Sequence, residues 1–224
     1  MNGFVNVLFP FFLIGGFAAL AIGVGVLGRR REQRRDLEYA AYAQAHNFQY
    51  VPSRPGAQDQ YAPIVPFFHQ GAYRHWRHEV SGMMGGHSFA AFEYTYTVSS
   101  GRSSYTYREA IIKWEDERIN VPRFLAAPET FINRIGQSLF GVQDVDFPED
   151  PVFSSAYVLK GEPAAVTVLF TPAVRSYLSA NPGQHLAGEG HVLFWWRANQ
   201  PLPPAAGLDE FLAAGAEIEK LFLG

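Results

Sequence analysis

The sequence YRHWRHEVSGMMGGHSFAAFEYTYTVSSGRSSYTYREAIIKW, residues 73–114, decides the fold. It contains runs of aromatic and β-branched residues that are typical of strands. Glycine- and serine-rich breaks, which are typical of turns, separate these runs. The runs are residues 73–84, 89–98 and 105–114, and the breaks are Gly85-Gly86 and residues 99–104. The pattern predicts an antiparallel β-meander.

The middle run, residues 89–98, also predicts which side chains share a face of the strand. Side chains alternate between the two faces of a strand, so residues two apart share a face. One predicted face is aromatic and apolar, and we expect the other face to be more polar. The first face holds Phe92, Tyr94, Tyr96 and Val98, and the second holds Ala91, Glu93, Thr95 and Thr97.

Downstream of the meander, helical and strand patterns alternate. Helical spacing of apolar residues, with proline or glycine at the ends, marks the helices. The predicted helices are residues 128–140, 163–180 and 208–223, and the predicted strands are residues 155–160 and 191–197. We therefore predict an α+β fold in which helices pack an antiparallel sheet.

Two adjacent tryptophans, Trp195 and Trp196, face opposite sides of the last predicted strand. We expect one of them to enter the core. The other, together with Tyr94 and Tyr96, is the candidate interaction surface, because exposed aromatic side chains are common in protein interfaces.

An apolar stretch of 24 residues, Phe4–Leu27, precedes this body. As a helix it would be about 36 Å long, enough to cross a bilayer core of about 30 Å. A cleaved signal peptide is disfavoured, because its basic residues precede a shorter apolar run. We expect an α+β chain with an N-terminal transmembrane helix in residues 1–28.

A basic cluster follows the apolar stretch directly and predicts the orientation. Arginine-rich flanks remain in the cytoplasm. We therefore expect a single-pass inner-membrane protein with its N-terminus outside and its large domain in the cytoplasm. The cluster sets the topology and is also the candidate contact with lipid headgroups. It consists of Arg29, Arg30, Arg31, Arg34 and Arg35.

Small residues recur every four positions within the apolar stretch, at Gly15, Ala19 and Gly23. Such a stripe lets two membrane helices approach closely and predicts packing against another subunit or a second copy. The alternative is compositional, because glycine is common in membrane spans.

Between the anchor and the meander, residues 29–66 are predicted to form a juxtamembrane helix, a short strand and a linker. Residues 29–46 favour a helix, residues 48–51 a strand, and the proline-rich residues 53–66 a loop. The soluble α+β domain is then residues 67–224.

Charge and cysteine content exclude several classes of function. The chain has 18 basic and 21 acidic residues, and the segment 29–35 holds five arginines and one glutamate. Residues 36–224 therefore carry 13 basic and 20 acidic residues, a net charge of −7. Nucleic-acid binding needs a basic face and is not expected. The absence of cysteine excludes disulfides, thiolate metal sites and a cysteine nucleophile.

Four motifs resemble sites of chemistry, and none of them predicts a cofactor. The pattern G-x-G-x-x-G at Gly23–Gly28 falls in the predicted span rather than between a strand and a helix. Ser88 precedes a strand, whereas a nucleophile elbow follows one. Four histidines, His69, His75, His78 and His87, fall within 19 residues. They suggest a metal site, but residues three apart on a strand face opposite ways. An acidic loop, residues 144–150, lacks the ligand order of a calcium loop.

The order of features resembles that of uncharacterised bacterial single-span membrane-anchored domains. The resemblance rests on the span with its basic exit, on Phe92-x-Tyr94-x-Tyr96, and on the segment FSSAYVLKG, residues 153–161. It covers most of the chain and implies the same layout, but it implies no activity.

These observations predict a membrane-anchored, non-catalytic interaction protein, an accessory or scaffolding subunit of a larger membrane complex. A respiratory or photosynthetic assembly is compatible with this prediction but is not indicated. Its expected partners are other membrane-protein subunits or a second copy, and the lipid bilayer. One alternative is an enzyme or ligand-binding domain at the membrane surface, with His75, His78 and His87 lining its pocket. Another is a self-associating membrane sensor.

Overall fold

The computed structural model describes residues 26–135 and 144–224, which fall into two units divided between Glu38 and Tyr39. In the first unit, residues 26–38 are helical, and Arg34 pairs with Glu38 at 2.8 Å. The five arginines of the basic cluster lie on this helix, and all but Arg35 are exposed.

The predicted membrane span lies outside the described residues except for its last two positions. The small-residue stripe at Gly15, Ala19 and Gly23 lies outside them entirely. Across residues 26–135 and 144–224, no helix is both long enough and apolar enough to cross a membrane.

The second unit is built on an eight-stranded antiparallel sheet, with the order β1-β2-β3-β4-β8-β7-β5-β6. Helices pack on it, which confirms the predicted α+β architecture. The strands are β1 (Gln49–Ser53), β2 (Ala72–Met84), β3 (His87–Ser100), β4 (Ser103–Glu115), β5 (Val121–Ala127), β6 (Val158–Gly161), β7 (Gln184–Gly190) and β8 (Val192–Arg197). The helices are α1 (residues 39–45), α2 (Glu129–Ile135), α3 (Pro151–Ala156), α4 (Pro163–Leu169), α5 (Pro172–Ala180) and α6 (Leu208–Leu223).

The predicted meander is strands β2, β3 and β4. Strands β3 and β4 pair without a register shift from Phe89↔Trp114 to Ser100↔Ser103. Strand β2 is irregular, because its register against β3 shifts twice. Tyr73 and His78 lie within these two shifts and have φ angles of 52° and 54°. Bulges of this kind increase the local twist of a sheet and redirect side chains.

Both faces of the sheet are buried, each in its own apolar cluster. The first cluster packs against α1, α3, α4, α5 and α6, and the second lies under residues 61–68 and α2. The apolar face of β3, with Phe92, Tyr94 and Tyr96, belongs to the second cluster. Our expectation of a polar opposite face is wrong, because helices cover it. Ala91 and Glu93 are buried there.

Prolines change the boundaries of the helices. The first two residues of the predicted strand 155–160 belong to α3 instead, because Asp150 caps a helix that has proline in its first turn. The strand itself is β6. The predicted helix 163–180 is two helices, α4 and α5, because Thr171 caps a new helix that begins at Pro172.

The remaining predicted segments mostly agree with the structure. The final helix matches α6, and α2 begins as predicted. The predicted continuation of α2 to residue 140 lies outside the described residues. The predicted loop 53–66 contains a 3₁₀ turn and the fully buried Val65, and Phe67 and Phe68 directly after it are also fully buried. The compact unit begins at Tyr39 and therefore includes this segment.

Candidate functional site

Strands β3 and β4 extend beyond the rest of the sheet and form a two-stranded ribbon. The ladder between β2 and β3 ends at Ala72↔Thr97, and the ladder between β8 and β4 ends at Ala110↔Arg197. Past these pairs, β3 and β4 continue to pair with each other as far as Ser100↔Ser103. We call residues 97–108 the hairpin arm. No other strand in the described ranges runs beside it beyond Thr97.

One side of the hairpin arm carries hydroxyl groups. The Oγ1 atoms of Thr97 and Thr106 are 2.9 Å apart, and the Oγ atoms of Ser99 and Ser104 are also 2.9 Å apart. Cross-strand pairs of this kind hold the two strands in register. The ribbon is therefore tied together by its own side chains.

The other side of the hairpin arm carries tyrosines. Buried Tyr96 stacks on Tyr107 with ring centroids 5.1 Å apart, and Tyr107 contacts Tyr105 at 4.6 Å. Tyr105 is 54% exposed. The row of rings therefore leads from the second apolar cluster out to solvent.

Tyr73 lies at the base of the hairpin arm, next to the last β2–β3 pair. Its side chain is 77% exposed and its φ angle is 52°. A bulky residue rarely adopts this left-handed conformation, which costs about 1–3 kcal/mol and is common at functional sites.

Two buried carboxylates fix the chain around the arm's base. Glu109 accepts a hydrogen bond from the backbone N–H of Asn199 at 2.7 Å, and the Asn199 side-chain amide donates to the Tyr105 hydroxyl at 3.3 Å. Glu93 accepts from the backbone N–H of Leu202 at 3.1 Å. The linker after β8 is therefore held against the strands of the arm. No local pattern indicates this role, because the alternation of residues in β3 predicts Glu93 on a polar face.

The hairpin arm is cationic. It carries Arg102 and Arg108, both exposed, and residues 97–108 contain no aspartate or glutamate. Within the described part of the chain, neither arginine forms a salt bridge. This local charge contrasts with the net charge of −7 on residues 36–224.

The candidate interaction surface is buried, because Tyr94, Tyr96 and both tryptophans are core residues. Tyr94 and Tyr96 lie in the second cluster, and burial raises the pKa of Tyr94. Trp195 and Trp196 face opposite sides of β8, as expected, but both are at most 1% exposed. Trp195 stacks on Phe211 at 5.2 Å, because α6 covers its face of the sheet. The exposed aromatic rings near this end of the sheet are instead Tyr73 and Tyr105.

The four clustered histidines do not converge. His69 and His75 are exposed, whereas His78 is buried against the Tyr39 ring, 5.1 Å away, and contacts the Tyr50 hydroxyl at 3.1 Å. His87 lies at the far end of β3. In residues 26–135 and 144–224, no three histidine or acidic side chains are arranged to hold a metal ion.

A polar cluster surrounds His87 at the end of the sheet opposite the arm. His87 Nδ1 and Glu219 Oε1 are 2.5 Å apart, and both side chains are mostly buried. Nearby, a hydrogen bond from Arg118 lowers the pKa of Asp116. A cavity of about 220 Å³ adjoins His87 and Arg118. Ser88 follows His87 on the strand and faces the opposite way, so the two do not form a nucleophile and base pair.

Two larger cavities lie elsewhere on the unit. One of about 530 Å³ adjoins Phe48, Gly82 and Ser88, and one of about 510 Å³ adjoins Phe131, Tyr157 and His185. Both are open and lined largely by neutral side chains. They offer room for a ligand without a set of ionisable groups around it.

Comparisons with known proteins give a fold but no family. No protein-family profile matches the chain, and no curated protein matches its sequence. One similar solved structure is the crystal structure of the mycobacterial trehalose monomycolate transport factor A, TtfA. The TM-score is 0.54 at 11% identity, over 84% of this chain and 93% of that one. This chain therefore shares the fold of TtfA across most of its length.

Proposed function

We propose that this chain is a membrane-anchored, non-catalytic interaction protein that serves as an accessory subunit of a larger membrane assembly. The hairpin arm is its docking element. The observation that carries this proposal is the two-stranded ribbon itself, which extends beyond the sheet and presents the exposed Tyr105 to solvent, next to the exposed Tyr73 of β2 at its base.

A two-stranded ribbon of this kind needs support from the rest of the chain. An isolated two-stranded hairpin is only marginally stable in water. Here the chain holds one in place with the buried carboxylates Glu93 and Glu109 at its base. Tyrosine offers a large contact area at a small loss of side-chain entropy and is enriched in interfaces. A binding role accounts for a projecting structure that adds little to the core.

The anchor and the partner complete the proposal. The apolar stretch Phe4–Leu27, with arginines after it, supports a tether that leaves the large domain in the cytoplasm. The similar fold of TtfA, which is named as a transport factor, supports a transport assembly as the kind of complex.

The proposal is tested by purification from native membranes in a gentle detergent. We expect the full chain to elute with specific partner chains, and we expect the double variant Tyr73→Ser, Tyr105→Ser to lose them. Val168→Ser is the matched control, because Val168 is 79% exposed on α4, outside the arm. Elution of the wild-type chain as a monomer would contradict the proposal, as would partner retention by the double variant.

A further inference from the structure

The two outer edges of the sheet are protected against pairing with another chain. Strand β1 carries Pro52, which cannot donate a backbone hydrogen bond. The outer edge of β6 is covered by residues 144–145, through the bridge Asp144↔Lys160 and the hydrogen bond from Val145 N to Leu159 O at 2.8 Å. Natural sheets block their edges in these ways to prevent unwanted strand pairing.

The hairpin arm has no such protection. Strand β8 stops pairing with β4 at Ala110, and the linker after β8 meets this edge at the bridge Glu109↔Gln200. From there to the turn, residues 103–108 of β4 have no described strand on the side away from β3. This run, SSYTYR, contains no proline and no glycine. It spans about 20 Å, the length of a typical strand.

The side chains of this run favour a β-partner. Tyrosine and threonine are among the residues most enriched in strands. Five of the six residues are exposed, and Tyr107 is half-buried. An incoming strand would therefore meet an edge that no described strand occupies, with β-favouring side chains on both faces.

Charge indicates which strand would fit. Arg102 directly precedes the open run and Arg108 is its last residue, and no acidic residue lies between them. Pairing two copies of this run would bring four arginines into one ribbon, and like charges across a ladder are unfavourable. An extended segment with acidic side chains would pair with both arginines instead.

We infer that the open edge of β4 at residues 103–108 binds an acidic, extended segment of a partner protein as a third strand of the hairpin arm. This inference rests on the proposed docking role and names the chemistry of the partner. Backbone hydrogen bonds would supply the affinity, and the two arginines would select acidic side chains over basic ones.

The test uses the full chain in detergent micelles and two synthetic peptides, one alternating glutamate with threonine and one alternating lysine with threonine. Hydrogen exchange of the arm is followed by mass spectrometry. We expect the glutamate peptide to slow exchange of residues 103–108 by about tenfold or more, and the lysine peptide to leave it unchanged. The double variant Arg102→Glu, Arg108→Glu should lose this protection, whereas the exposed control Lys220→Glu should keep it.

Three results would overturn the inference. These are no protection with the glutamate peptide, equal protection with both peptides, and concentration-dependent protection without peptide, which would mean pairing between two copies. Failure here is distinguishable from failure of the proposed function. In one such result, partners still co-purify through Tyr73 and Tyr105 while the glutamate peptide leaves the exchange of residues 103–108 unchanged. That result would support the docking role and contradict strand addition.

Discussion

Glu109 and Asn199 are joined across 90 positions of sequence by a hydrogen bond of 2.7 Å from the Asn199 backbone N–H to the Glu109 carboxylate. Glu109 is fully buried. The bond fixes the linker after β8 to β4 at the point where the hairpin arm leaves the sheet. A hydrogen bond to a charged acceptor is stronger than one between neutral groups, so this carboxylate holds the linker firmly.

Removing this carboxylate should destabilise the fold. We expect Glu109→Ala to lower the free energy of unfolding by about 1–3 kcal/mol, because a fully buried position would lose its hydrogen bond to the Asn199 N–H and leave a cavity. Glu117→Ala is the control, since Glu117 is exposed, and it should change stability by less than about 0.5 kcal/mol. Urea unfolding followed by circular dichroism measures both. Equal effects of the two variants would show that the bond contributes nothing.

Gly85 and Gly101 form a matched pair for a second prediction. Both have a φ angle of 58°, so replacement by alanine should cost each about 1 kcal/mol of backbone strain. A Cβ atom at Gly101 meets nothing within 4 Å, whereas one at Gly85 collides with the Glu219 carboxylate. That carboxylate is buried and held by His87, so it has little room to move.

We therefore expect Gly85→Ala to lower the free energy of unfolding by clearly more than Gly101→Ala does. In a Glu219→Ala background the excess should disappear, because the colliding group is gone. The same denaturant titrations measure Gly85→Ala, Gly101→Ala, Glu219→Ala and the double variant Gly85→Ala, Glu219→Ala. An excess that persists without Glu219 would assign the cost of Gly85→Ala to another contact.

Tyr157 provides a prediction about pH. Burial raises the pKa of its hydroxyl to about 12, although a backbone hydrogen bond from Gln184 opposes the shift. The unfolded chain releases this proton near pH 10. Between these values the native state binds more protons than the unfolded state does, so stability should fall as the pH rises from about 10 to about 12.

This dependence is measured by chemical unfolding at several alkaline pH values. Tyr157→Phe removes the titrating group and should flatten the stability loss that Tyr157 contributes. Its hydrogen bond from the Gln184 N–H is lost as well, so the comparison concerns the slope with pH rather than the absolute stability. An unchanged slope in Tyr157→Phe would show that this hydroxyl does not titrate differently on unfolding.

The meander was predictable because its signals are local. Turn residues at Gly85-Gly86 and at residues 99–104 separate strands with clear alternation, and the three strands match β2, β3 and β4. Strands β5 and β7 were missed because Pro122 interrupts one, while Gly188 and Gly190 weaken the pattern of the other. Gly188 packs against the Phe124 ring, a contact between two strands that no local pattern reveals.

The surface was harder to predict than the fold, because exposure depends on what covers each face. Tyrosine and tryptophan are common in interfaces, yet covering segments bury both faces of the sheet and with them Tyr94, Tyr96, Trp195 and Trp196. Tyr105 is exposed because strands β2 and β8, which border β3 and β4, end before they reach it, at Ala72 and Arg197. Where each strand ends depends on its pairing with the other strands and cannot be predicted from any one segment of the sequence.

The docking account is tested most directly by placing a photo-crosslinking amino acid at position 105 of the full chain in living cells. Position 168 on α4 is the control, because Val168 is exposed and lies outside the arm. If the hairpin arm docks a partner, we expect a discrete protein adduct from position 105 and none of that size from position 168. The same adducts from both positions, or none from position 105, would contradict the claim that the hairpin arm is where this protein meets its partner.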